Sequence, residues 1–182
     1  MIIGLGYQAR VGKGEVASWL RAKYGFTEVA FADALKITCR TIFGLNHSQL
    51  YGFNKEVVDP FWQDTPRNIL QKVGTECLRN GYRDDVWVKA LQRNIEMNPG
   101  RDYVISDCRF MNEVQAVRSW GGTLVCIVRP DAPAIATAQH ASETSLANWT
   151  GWDHVLTNGG TLADLYAQVD DLAIEWGLRR AT

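Results

Sequence analysis

Apolar residues along this chain fall into short dense blocks, and between the blocks they recur every three or four positions. MIIGLG at the start has strand length, and FTEVAF (26 to 31), DYVISD (102 to 107), TLVCIV (123 to 128) and HVLTN (154 to 158) share its character. GKGEVASWLRAKYG sets Val16, Leu20 and Tyr24 on one side of a helix and stops at Gly25. ADALKITCRTIFG, PRNILQKVGTECLRNG, DDVWVKALQRNIEMNPG, NEVQAVRSWGG and LADLYAQVDDLAIEWG read as further helices. The last of these carries Leu162, Leu165, Val169, Leu172 and Trp176 along a side expected to pack into a core. Near-continuous apolar strands alternating with helices predict an α/β fold, a parallel sheet of about five strands with helices on both faces. Ligands in such folds collect at the carboxyl ends of the strands.

Boundary residues support the helices. Thr65 offers a capping hydroxyl before Pro66 at a first helical position, Gly81 closes that helix, and Pro99-Gly100 ends the next.

A length of 182 residues suits one domain with its own core. The net charge of -1 argues against a nucleic-acid coat or a membrane-surface role, both of which need a basic excess. Cys39, Cys77, Cys108 and Cys126 lie far apart in apolar neighbourhoods, with no CxxC pair, and read as reduced core thiols of a cytoplasmic protein. No apolar stretch approaches the ~18 residues of a membrane span. A homodimer is compatible with the sequence, but no exposed apolar stripe demands one.

The chemistry starts in GYQARVGKGEVA (6 to 17). A phosphate-binding loop usually has four residues between its first glycine and Gly-Lys, then Ser or Thr. Here five residues separate Gly6 from Gly12, and Gly14 stands where the hydroxyl belongs. The order strand, glycine loop, helix nevertheless suits phosphate: glycines let oxygens approach the backbone, amides at the helix start face the anion, and Lys13 adds a mobile charge. Without a hydroxyl at position 14, a carboxylate or a water must take over as Mg²⁺ ligand.

Other positions also suggest functions. The helix after Pro66 has an apolar face of Ile69, Leu70, Val73 and Cys77 and another face of Arg67, Gln71, Gly74 and Thr75, which could read a ligand. Gly74 inside that helix suggests close approach to the backbone. VISDCRFMNE ends a strand in Asp107 and follows it with Arg109 and Glu113, a carboxylate and a guanidinium at the sheet edge. Asp33 in AFAD occupies a similar carboxyl end, and His140, Ser142 and Glu143 lie in a long loop that could close as a lid.

The ordered set GYQARVGKGEVA, FADALK, LYGFNKEVVDPFW, TPRNILQKVGTE, DDVWVKAL, ISDCRFMNEV, HASE and HVLTNGGTLADL resembles the deoxynucleoside monophosphate kinases of tailed bacteriophages, from about residue 2 to residue 172. The resemblance implies a three-layer P-loop kinase fold and transfer of the γ-phosphoryl of ATP to a deoxynucleoside monophosphate, with Mg²⁺. It implies one domain with a monophosphate-binding helical region at about 45 to 98 and a lid-like segment at about 130 to 147. Ala9, Arg10, Val11, Gly12, Lys13, Gly14, Glu15, Arg129 and Asn158 are then expected at ATP. Asp33, Lys36, Arg67, Gln71, Thr75, Glu76, Arg109, Glu113, His140 and Glu143 are expected at the acceptor. Lys13, Asp33, Asp107 and Arg109 would act on the transfer, with Glu15 and Asp107 toward the metal, directly or through water. Two other readings stay open: a P-loop kinase of another small molecule, such as dephospho-coenzyme A or a sugar acid, and a nucleotide-binding regulator without catalysis.

Overall fold

The computed structural model describes residues 1 to 181 apart from Tyr7, Ala9 and residues 131 to 143. The chain divides into two compact units, one made of Met1–Ala30 with the segment from Asn98 onward, the other of Phe31–Met97.

The first unit holds the sheet. Strands β1 (Ile2–Gly6), β2 (Thr27–Val29), β3 (Tyr103–Ile105), β4 (Thr123–Val128) and β5 (His154–Thr157) are all parallel, in the order β2-β3-β1-β4-β5. Both faces of β1 are covered, which is why its sequence is apolar throughout rather than alternating: Ile3 and Leu5 have no exposed surface. Helices α1 (Lys13–Tyr24) and, numbered below after those of the second unit, α6 (Met111–Ser119) and α7 (Leu162–Glu175) belong to this unit. Val16, Ala17 and Leu20 of α1 and Leu165 and Val169 of α7 join β1, β3, β4 and β5 in one core. Gly25 adopts a left-handed conformation (φ 75°) and its amide donates to the Arg21 carbonyl, so the predicted stop of α1 is realised.

Asp170 of α7 fastens the two helices. It accepts hydrogen bonds from Trp19 Nε1 (2.8 Å), Lys23 Nζ (2.6 Å) and Tyr24 Oη (2.8 Å), all on α1.

The second unit is helical: α2 (Asp33–Phe43), α3 (His47–Tyr51), a 3-10 turn (Phe53–Glu56), α4 (Pro66–Gln71), a π-helical run (Lys72–Asn80) and α5 (Val86–Met97). It opens at Phe31, earlier than the helical region expected from about 45. Cys39, Leu45, Leu50, Ile69 and Leu70 form its own core. Thr65 Oγ1 accepts from the Asn68 amide with Pro66 behind it, the predicted start of α4.

Two expectations fail here for identifiable reasons, and the close approach expected at Gly74 is made by the protein itself. The Pro66 helix winds into i→i+5 turns after Gln71, so residues beyond it leave the faces that an α-helical count assigns, and Cys77 is exposed rather than in the core. Gly74 is approached not by a ligand but by the protein: a Cβ there would lie 2.6 Å from Leu35 Cδ2, and the Gly74 carbonyl accepts from Trp87 Nε1 (2.9 Å). Leu162, placed on the core stripe by spacing, is half exposed because it opens α7 one turn outside the core. Apolar side chains also reach the surface of this unit at Phe53 (99 % exposed) and Phe61 (81 %).

Candidate active site

A cleft of about 530 Å³ lies over the carboxyl ends of the central strands, lined by Arg10, Gly12, Lys13, Gly14, Glu15, Ser106, Arg109, Arg129, Asn158 and Leu162. Its floor is the turn between β1 and α1. Gly12 has φ 108°, a conformation that strains any side chain, and the turn also holds Arg10 at φ 63°. A non-glycine residue in that region marks a backbone held by its surroundings. Part of the hold is visible: Asn158 Nδ2 donates to the Val11 carbonyl (2.9 Å), and Val11 itself is fully buried in the sheet core. The Val11 side chain therefore anchors the loop from below.

Gly6 is required for packing. A Cβ there would fall 2.0 Å from the Trp152 ring, so the wider loop starts on a glycine that an indole covers.

Lys13 is buried, and its ammonium donates to the Gln8 carbonyl, keeping the charge inside the loop that would meet phosphate. Arg10, Arg109 and Arg129 add guanidinium groups to the same wall. Glu15 is the one carboxylate among the lining residues, and its Oε2 accepts from Tyr166 Oη (2.9 Å). Four cations and one anion make the cleft strongly positive in a chain of net charge -1, so its preferred occupant is an anion. A glycine loop running into the amide end of α1 is the kind of backbone that suits phosphate oxygens.

Other expected residues stand outside the lining of this cleft. Asp107 does not line this cleft; the β3 side of its wall is Ser106 and Arg109. Glu113 is buried, and its carboxylate accepts the amides of Arg109 (2.8 Å) and Phe110 (3.1 Å), capping the start of α6 and fixing the backbone that presents Arg109. It is a positioning residue. Burial pushes the neighbouring Cys108 thiol well above its usual range, and the charges of Glu113 and Asp107 push it the same way, so this cysteine stays a protonated core residue. Ser106 and Leu162 are lining residues that sequence reasoning misses.

In the second unit, Asp33 opens α2 and Lys36 follows one turn on, with its ammonium 4.1 Å from the centre of the Tyr51 ring. Burial raises the Tyr51 hydroxyl pKa, and the charge of Asp33 adds to this. Arg67 Nε donates to Glu56 Oε1. Gln71 and Thr75 are half-buried, while Glu76 is exposed. Ala9, His140, Glu143 and most of the expected lid lie outside the described residues.

The family model for deoxynucleotide monophosphate kinase matches residues 46–169. A protein of Acanthamoeba polyphaga mimivirus that provisionally carries the same kinase name is 37 % identical, over 93 % of this chain and 94 % of its own length.

This chain belongs to the deoxynucleotide monophosphate kinase family. It is therefore a phosphotransferase, and the resemblance to phage kinases of this class holds. The deoxynucleotide monophosphate kinase of Enterobacteria phage T4 is 34 % identical over 57 % of this chain, and that match spans 43 % of the phage protein. Among solved structures, dephospho-CoA kinase from Campylobacter jejuni superposes with a TM-score of 0.53 at 13 % identity, covering 96 % of each chain, which shows a shared P-loop kinase fold. Among the described residues no group of three or more His, Cys, Asp or Glu side chains is gathered as a metal cage. Mg²⁺ needs no such cage when substrate phosphates supply the other oxygens, and the hard donors of the cleft, Ser106 and Glu15, suit that ion.

Proposed function

We propose that this kinase transfers the γ-phosphoryl group of ATP to a deoxynucleoside monophosphate, giving ADP and a deoxynucleoside diphosphate. The observation that carries the reading is the cleft: a buried lysine and three arginines over a glycine turn, in a chain of this family. The turn from Gly12 to Glu15 binds the donor phosphates through its amides, and Lys13 leaves the Gln8 carbonyl for their terminal oxygens. Arg109, held by Glu113, and Arg10 and Arg129 balance the charge on the equatorial oxygens as the phosphoryl group moves. Bound Mg²⁺ would supply further neutralisation of that charge, with Glu15 and Ser106 on its side of the cleft and Asp107 acting through water.

The acceptor is assigned to the helical unit. Arg67 and Gln71 on α4, with Thr75 and Glu76 one turn on, hold the monophosphate and its base, and Asp33 and Lys36 position it for attack. His140 and Glu143 belong to a segment that excludes water on closure. A phosphate already ionised at neutral pH needs little base, so catalysis is chiefly positioning.

The test is ADP release with ATP and Mg²⁺ against the four deoxynucleoside monophosphates and the ribonucleotides. Turnover with at least one deoxynucleotide, abolished by Lys13→Ala, is expected. Arg67→Ala should raise the KM for the monophosphate and leave that for ATP nearly unchanged. Turnover with dephospho-coenzyme A or a sugar acid instead, and with no nucleotide, would overturn the acceptor assignment.

A further inference from the structure

We infer that the Ser106 hydroxyl supplies, from the end of β3, the metal-side oxygen that Gly14 withholds from the phosphate-binding loop. The inference rests on reading the cleft as a nucleotide-phosphate site and concerns how that site is completed.

A loop of this kind ordinarily ends in Ser or Thr immediately after its lysine, and that hydroxyl faces Mg²⁺. Gly14 has no such group. Steric crowding does not explain the loss, because a Cβ on Gly14 would meet no atom within 4 Å and its φ lies outside the left-handed region. The nearest replacement on α1, Glu15, is engaged by Tyr166 Oη.

Ser106 is different in each respect. It follows Ile105, the last residue of β3, and β3 pairs directly with β1, so its side chain enters the same cleft as Lys13 and Gly14. Its backbone is fixed, since the Ser106 amide donates to the Val29 carbonyl (3.1 Å). Its hydroxyl makes no hydrogen bond among the described residues. A half-buried hydroxyl on an anchored backbone, pointing into a cationic polyphosphate cleft, is a hard oxygen donor in the chemical role that the loop has lost.

The measurement is the affinity of the protein for ADP with and without Mg²⁺, by calorimetry. In the wild type Mg²⁺ should tighten ADP binding, and a wild type indifferent to Mg²⁺ overturns the inference. Ser106→Ala should reduce that tightening by roughly tenfold or more while leaving metal-free ADP affinity unchanged. Adding Gly14→Ser to Ser106→Ala should restore it, because the space at position 14 is free. Ser106→Cys, close in size, should lose the Mg²⁺ effect and recover it with Cd²⁺, which favours sulfur. An unchanged Mg²⁺ effect in Ser106→Ala overturns the inference, and so does an equal loss with and without metal, which would make the serine a phosphate or packing contact. Wild-type protein that binds ADP with Mg²⁺ but phosphorylates no deoxynucleotide would overturn the acceptor reading and leave this inference standing.

Discussion

Asp170 illustrates how much one side chain can fasten. Its burial alone would push the carboxyl up, but the hydrogen bonds from Lys23, Trp19 and Tyr24 outweigh that and hold it below the ordinary range. A carboxyl held lower in the folded than in the unfolded chain contributes stability that is present above the unfolded value, about 3.9, and lost as pH falls through the folded one. Asp170→Ala should cost about 2 to 3 kcal/mol by urea denaturation at neutral pH, and Asp170→Asn should flatten the acid side of the stability curve. Tyr24 is pushed up to about 12, first by burial and then by its bond to Asp170, so it remains a donor at neutral pH. Gly6→Ala should destabilise by about 1 to 3 kcal/mol, read as a lower melting temperature, because the Trp152 ring must move. At this scale the sequence was legible where a residue type has a local rule. Lys13 after Gly12 and Arg109 after a strand end follow such rules, and both line the cleft. Ser106 follows none, since a serine before an aspartate at a strand end has no spacing that distinguishes a functional hydroxyl from a turn residue. Glu113 was legible as important but not as a cap, because the amides of Arg109 and Phe110 that it accepts from leave no mark in residue spacing.

Helices and strands were legible through periodicity, and the failures come where periodicity itself changes. Strand β2 is three residues long where FTEVAF suggested six, since Ala30 and Phe31 already turn toward α2. The run from Lys72 to Asn80 closes its hydrogen bonds over five residues where an α-helix closes them over four, and every face assigned beyond Gln71 shifts with it. What holds this run is the contact at Gly74, where Leu35 closes on one side and the Trp87 indole reaches the carbonyl on another. Trp87→Phe keeps most of the buried surface and removes only that donor. It should cost about 1 kcal/mol in denaturant melts, the net contribution of one hydrogen bond. π-type turns inside a helix gather at functional positions, and this one directly follows Arg67 and Gln71, the residues assigned to the acceptor.

For the whole molecule, ligand binding and stability are linked. A nucleotide that binds only the folded chain stabilises it by about 2.7 kcal/mol at a hundred times its Kd. Melting temperature should therefore rise with the logarithm of ADP concentration, and the rise should shrink in Lys13→Ala. No helix among the described residues is long and apolar enough to cross a membrane. The order β2-β3-β1-β4-β5 has a further consequence, for the sequence of events as the chain is made. β1 and β2 emerge first, yet they never touch as ladder partners: β3 lies between them, and it arrives only with Tyr103–Ile105. Until then both early strands have unpaired edges, while Phe31–Met97 already contains every residue of its own core. Synthesis thus delivers a helical module complete in itself, preceded in the chain by two strands waiting for a third. Ribosome-bound chains halted before Tyr103 should show protease resistance confined to that module, with the sheet consolidating only when β3 closes the gap.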